Sequence, residues 1–191
     1  MTTETIISIF LGIGLSASVG FRVFVPLFAL SLAAYFNLWE LNDSWQWIGS
    51  LTAVVTLGVA TLVEIFGYYI PYIDNLLDTI AIPLATIAGT AVMVSTIADL
   101  GPVITWALAI IAGGGTAAAV AGSSGVTRLT STATTGGVAN PIVSTVETGT
   151  SIVMSVLSLF IPVLAFIFVV AILYLIFRVY KKIKRSKSKT T

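Results

Sequence analysis

The sequence predicts an all-α integral membrane protein of about five transmembrane helices, some of them broken or re-entrant. Three observations carry that reading. Hydrophobic residues make up 57% of the 191-residue chain, charged residues only 9%, and the mean hydropathy is +1.06. Soluble domains carry roughly 25% charged residues, so a water-soluble fold is excluded. Bilayer-length apolar runs flank one polar stretch, Gly122 to Gly149 (GSSGVTRLTSTATTGGVANPIVSTVETG). Seven of the nine basic residues crowd into Arg178 to Lys189, a stop-transfer cluster that the positive-inside rule places in the cytoplasm. The chain therefore divides into a single transmembrane domain, residues 1–180, and a basic cytoplasmic tail, residues 181–191.

The first span covers roughly Ile6 to Phe36. A straight helix of that length reaches about 45 Å against a hydrocarbon core of about 30 Å, which implies tilt or a break. Gly20 and Pro26 bracket the break, with Arg22 between them in SVGFRVFVP. An arginine at that depth faces protein or water, or else Pro26 only kinks the helix and Arg22 snorkels. Asn37 to Trp47 reads as an interfacial turn whose tryptophans form an aromatic belt.

Ile48 to Tyr69 makes the second span, containing Glu64, and Pro71 stops or kinks it. Asp74 and Asp78 stand four apart and share a face if this piece is helical. They bind a cation or trade a proton, or Asp74 caps the next helix. The third span, Thr79 to Ala98, has Pro83 in its first turn and exits through Asp99-Leu100-Gly101-Pro102. The fourth, Val103 to Ala121, places Gly115, Ala119 and Ser123 in small-xxx-small register for close packing.

The polar stretch is expected as irregular backbone held at membrane depth in a re-entrant loop, with Arg128 inside it. Asn140-Pro141 reads as a helix start, Asn at the cap and Pro at the first position, with Glu147 two turns in. Gly149 and Pro162 are the expected joints before a last span from Ser151 to Phe177. Five crossings with the tail inside put the N-terminus outside; a sixth would put both ends inside. A weak echo (Gly before Arg22 and before Arg128, Glu64 and Glu147 after them, Ile-Pro after each Glu) points to an inverted repeat, a common transporter architecture.

The chain has no cysteine and no histidine. Disulfides, thiolate metal sites and Ser-His chemistry are excluded, and the Gly-x-Gly-Asp context of intramembrane aspartyl proteases is missing. The expectation is a protein that is not an enzyme and holds no cofactor or metal.

The segments GLSASVGFRVFVPLFALSLAA, EIFGYYIPYIDNLLDTIAIPLATIAG, LAIIAGGG and TTGGVANPIVSTVE resemble the bacterial membrane family known as domain of unknown function 4126, over about Gly12 to Pro162. The resemblance implies a multi-span membrane protein of the bacterial inner membrane, and carries no substrate with it. On this chain its motif-bearing polar positions are Arg22, Glu64, Asp74, Asp78, Arg128, Asn140 and Glu147.

Those seven residues are the candidate pathway for a small solute or ion, in a transporter or channel. Arg22 and Arg128 are expected to pair with Glu64 and Glu147, while Asp74 and Asp78 line a vestibule. The alternative is a structural or accessory protein whose buried charges only hold helices in register. Membrane lipids are the expected partners, the small-residue faces allow a homo-oligomer, and nucleic acid is not expected.

Overall fold

The structure is a computed structural model and describes residues 2–187; the end of the basic tail, 188–191, lies outside the described residues. It is built from helices: α1 Thr3–Val19, α2 Phe24–Tyr35, α3 Leu51–Gly67, α4 Pro71–Thr96, α5 Pro102–Thr135, α6 Asn140–Phe160 and α7 Pro162–Lys187. A 3-10 turn, Asp43–Gly49, precedes α3 and meets it at 65°. Four helices (α4, α5, α6 and α7) are long and apolar enough to cross a membrane, and the bent pair leading into α3 supplies a fifth.

The direction of each helix follows from its contacts. At one end of the bundle Ala98, just past α4, donates its N–H to Ser8 near the start of α1 (3.1 Å). At that same end Trp39, just past α2, donates its indole N–H to the Leu159 carbonyl at the end of α6 (3.0 Å), and Asn42 donates to Ser95 (2.9 Å). The start of α1 and the end of α2 thus lie together at this tryptophan end. The residues between them, Gly20 to Val23, lie deep in the bundle. α1 and α2 are the two legs of a re-entrant hairpin.

The re-entrant element is therefore at the N-terminus, and the central polar stretch is not irregular. Gly122 to Gly149 is helical apart from the turn Gly136–Ala139 between α5 and α6. Thr127, Thr130, Thr134, Thr145 and Thr150 each donate a hydroxyl hydrogen bond to the carbonyl four residues back. Their polar groups are satisfied within the helix, so such a segment can remain helical in an apolar setting. Gly136 and Gly137 take positive φ (64° and 87°) at the turn, which is why the chain can reverse there.

Several boundaries also shift. α4 starts at Pro71, so Asp74 and Asp78 are helical and Pro83 falls inside the helix rather than in its first turn. Gly149 sits within α6, and the joint before α7 is at Ile161 and Pro162 alone. Ala139, not Asn140, holds the cap position of α6; Asn140 makes no capping bond and its side chain goes elsewhere.

Small residues set the packing. Gly89 of α4 and Gly113 of α5 meet backbone to backbone: a Cβ on Gly113 would lie 2.6 Å from the Gly89 carbonyl oxygen. Close approach thus uses Gly113 and Gly114, in a π-helical segment Ala109–Gly114, whereas Gly115 faces open space. The packing face thus runs through Gly113 and Ala117 rather than the expected Gly115 and Ala119. Between α1 and α6, Ser18 donates to the Ser151 carbonyl (2.7 Å) and pairs with the Ser155 hydroxyl (2.7 Å).

Among the described residues no inverted repeat emerges. α1, which leads into Arg22, and α5, which carries Arg128, both run away from the tryptophan end, so they are parallel. The Glu-bearing helices α3 and α6 run in opposite directions. An inverted repeat requires both pairs to run oppositely, and only the second does.

Candidate functional site

The tip of the α1–α2 hairpin is the natural centre from which to build the site. α2 begins at Phe24 with no side-chain cap of its own, leaving its first amides without intrahelical partners. Glu64, one turn before the end of α3, supplies the acceptor: Val23 and Phe24 donate their N–H groups to its two carboxylate oxygens at 2.7 and 2.9 Å. A carboxylate at a helix N-terminus also opposes the positive end of the helix dipole. Glu64 is thus a cap reaching in from another helix, and it pairs with neither arginine among the described ion pairs.

Arg22, 2% exposed, spends its guanidinium on α6 and the tip. It donates to Thr148 Oγ1 (3.0 Å), the Ser144 carbonyl (3.0 Å), the Phe21 carbonyl (3.0 Å) and Glu147 (3.1 Å). Arg128, on α5 and also buried, pairs with Glu147 and with Asp74, and lies 3.6 Å from Asp78. It also donates to the Ser144 hydroxyl (2.9 Å). Glu147 therefore bridges both arginines and further accepts from Ser124. Both guanidinium carbons lie over the Tyr68 ring, at 3.8 and 4.4 Å from its centre, where the π face attracts cations.

All seven expected site residues meet in this cluster, from α3, α4, α5, α6 and the tip between α1 and α2. The expected pairing is only half kept: Glu147 pairs with the arginines, Glu64 does not. Asp74 is largely buried, held by Arg128 and by the Asn140 amide (3.3 Å), and still lines an open cavity at the Gly136–Ala139 turn. Asp78 is the looser of the two aspartates, its side chain 26% exposed against 5% for Asp74. Asn140 also donates to Thr132 (3.1 Å), while its carbonyl oxygen is buried without a partner.

Tyr68, Ser124, Ser144 and Thr148 were not singled out from the sequence. One signal was available. Asn140, Ser144, Glu147, Ser151, Ser155 and Ser158 recur at helical spacing on α6, and all six are buried. Ile142, Val146, Val153 and Phe160 on the other side are exposed. α6 is an inside-out amphipathic helix.

The cluster holds four carboxylates against two guanidiniums, an excess of two negative charges when all are ionised. A cavity of about 50 Å³ lies against it, lined by Gly20, Arg22, Glu64, Asp78, Gly125 and Arg128. A second, of about 370 Å³, opens at the Gly136–Ala139 turn and reaches Asp74 and Asn140. The site lies well inside the bundle. Glu147 stands seven residues beyond Asn140, about 10 Å along the axis of α6. Among the described residues no group of three or more acidic side chains is arranged to hold a metal ion, since Arg128 occupies the middle of the acidic set.

The model of a family described as Domain of unknown function (DUF4126) matches residues 9–182. Neither the curated proteins nor the solved structures give a match.

Proposed function

For this member of the DUF4126 family, a multi-span membrane protein, we propose that it is a transporter or channel for a small solute or ion, with cations favoured. The observation that carries the reading is the unbalanced buried cluster, four acids around two arginines at the tip of a re-entrant hairpin. Buried charge left uncompensated is expensive, so the site favours an arriving cation or proton. Re-entrant helix tips at membrane depth are also the places where transporters build their sites. Asp78, the most exposed acid of the cluster, is the group that would trade Arg128 for the cation. Arg22, Glu147 and Asp74 hold the framework, and Glu64 holds the hairpin tip. Catalysis has no part in this proposal.

The same reading puts the basic end of α7 in the cytoplasm of a bacterial inner membrane, by the excess of Lys and Arg after Phe177. Lipid is the partner that the exposed Ile, Val and Phe side chains of α3, α6 and α7 suit.

Flux in proteoliposomes tests it. Wild-type protein is expected to dissipate an imposed proton or alkali-cation gradient, and Asp78→Asn to lose that flux while retaining the fold. A wild-type protein that moves neither protons nor alkali cations contradicts the cation reading. A second reading, in which the charges only staple helices, is supported by one observation: Arg22 makes four hydrogen bonds and Arg128 pairs with three acids, which leaves little of either guanidinium free. In that case Asp78→Asn alters stability and no flux exists to lose.

A further inference from the structure

We infer that the site takes an amphiphilic primary amine, admitted sideways from the lipid between α3 and α4; this rests on the transport reading above and names its substrate class. α3 and α4 are consecutive and joined by only Tyr68, Tyr69 and Ile70, yet they diverge instead of packing. Between them lies a slot of about 440 Å³, walled by Val59, Ala60 and Val63 on α3 and by Leu77, Ile80 and Leu84 on α4. That volume is in the range of small-ligand sites. Val59, Val63 and Ile80 are 56%, 66% and 44% exposed, so the slot's mouth faces outward where lipid chains lie.

The slot is apolar until its floor, where Glu64 and Tyr68 stand. Those two residues, with Val23 and Ala81, also line the small polar cavity against the charged cluster. The slot and the cavity that holds Arg22, Asp78 and Arg128 in its lining therefore adjoin at these residues. The occupant that fits both is a molecule with an alkyl body and a compact positive head. Its sign is set by the excess of carboxylates, and the size of its head by the inner cavity. About 50 Å³ is available there. A water-sized group needs only about 10–15 Å³ of such space, so an ammonium group fits. Nitrogen carrying three methyl groups has no N–H to donate to a carboxylate and is not held there. Asp78, which opens on the inner cavity, is the acceptor for the ammonium protons.

The experiment uses the full chain in nanodiscs of zwitterionic phosphatidylcholine, titrated calorimetrically with decylammonium against empty discs. Decyltrimethylammonium and decanol serve as comparisons. Decylammonium is expected to saturate at one per chain, and the other two only to partition into lipid. Asp78→Asn should weaken binding about tenfold or more, the worth of a charged hydrogen bond. Ala60→Trp, which fills the slot and removes no charge, should weaken it comparably. Equal behaviour of the three probes, absence of saturation, or unchanged affinity in Ala60→Trp overturns the inference. The probe comparison is made on wild-type protein and stands even if a variant misfolds. Cation flux without amine binding would sink this inference and leave the transport reading intact. Amine binding without any flux would do the reverse.

Discussion

Replacing Glu64 with Gln removes the acceptor that closes the tip of the α1–α2 hairpin. The carboxylate accepts from Val23 and Phe24 through separate oxygens, and α2 has no other cap. Glutamine is nearly the same shape but offers one oxygen; its NH₂ then faces a backbone N–H, donor against donor. A hydrogen bond to a charged group contributes about 1.5–3 kcal/mol, and a buried donor left unmatched costs about 1–3 kcal/mol. The two overlap, so we expect Glu64→Gln to lose about 2–4 kcal/mol of local stability at the start of α2. At 1.4 kcal/mol per decade, amide exchange across residues 20–28 should accelerate between about 30-fold and 700-fold. Hydrogen–deuterium exchange with mass spectrometry on protein in nanodiscs reads this directly, with α4 and α5 peptides as controls. If the 20–28 peptide exchanges as in wild type, Glu64 is not the clamp, and the account of the hairpin tip fails.

Other consequences follow from the same geometry. Arg128→Gln leaves Asp74 and Asp78 without a cation and Glu147 with Arg22 alone, and is expected to cost about 3–5 kcal/mol in a denaturing mixed-micelle titration, more than Arg22→Gln, after which Glu147 keeps Arg128. Gly113→Ala forces a methyl group against the Gly89 carbonyl and should destabilise by about 1–3 kcal/mol. Gly115→Ala, where an added Cβ meets nothing within 4 Å, should be neutral or stabilise by up to about 1 kcal/mol in the same titration. Reporter fusions should place the two termini on opposite sides of the membrane, because α1 and α7 run in the same direction; termini on one side would refute those helix directions.

Much of the site was legible in the sequence because charge is rare in this chain. With only 9% of residues charged, each ionisable side chain within an apolar run needs a partner, and Arg22, Glu64, Asp74, Asp78, Arg128 and Glu147 had only one another. Which acid served which arginine was not legible. Glu64 went to backbone amides because α2 lacks a local cap, and that need is visible only once the chain is known to break after Val19 and restart at Phe24. The apolar pattern of the first thirty-odd residues suits one broken span as well as two legs of a hairpin. Contacts at its two ends, such as Ser8 with Ala98 and Trp39 with Leu159, decide between them. The threonines of α5 and α6 misled for a related reason. Their hydroxyls look like pathway lining in a sequence, yet they bond their own helix and face outward in large part, while the inner face is carried by Asn140, Ser144 and Glu147.

The central claim is that a cation can reach the charged cluster, and cysteine chemistry tests it most directly because the chain contains no cysteine of its own. Gly125 lines the small cavity and has open space where a Cβ would go. Gly125→Cys in proteoliposomes, exposed to a small cationic methanethiosulfonate carrying an ammonium group and to its anionic sulfonate counterpart, should react with the first and be spared by the second. Protection from both reagents, or equal labelling by the two, would contradict the account.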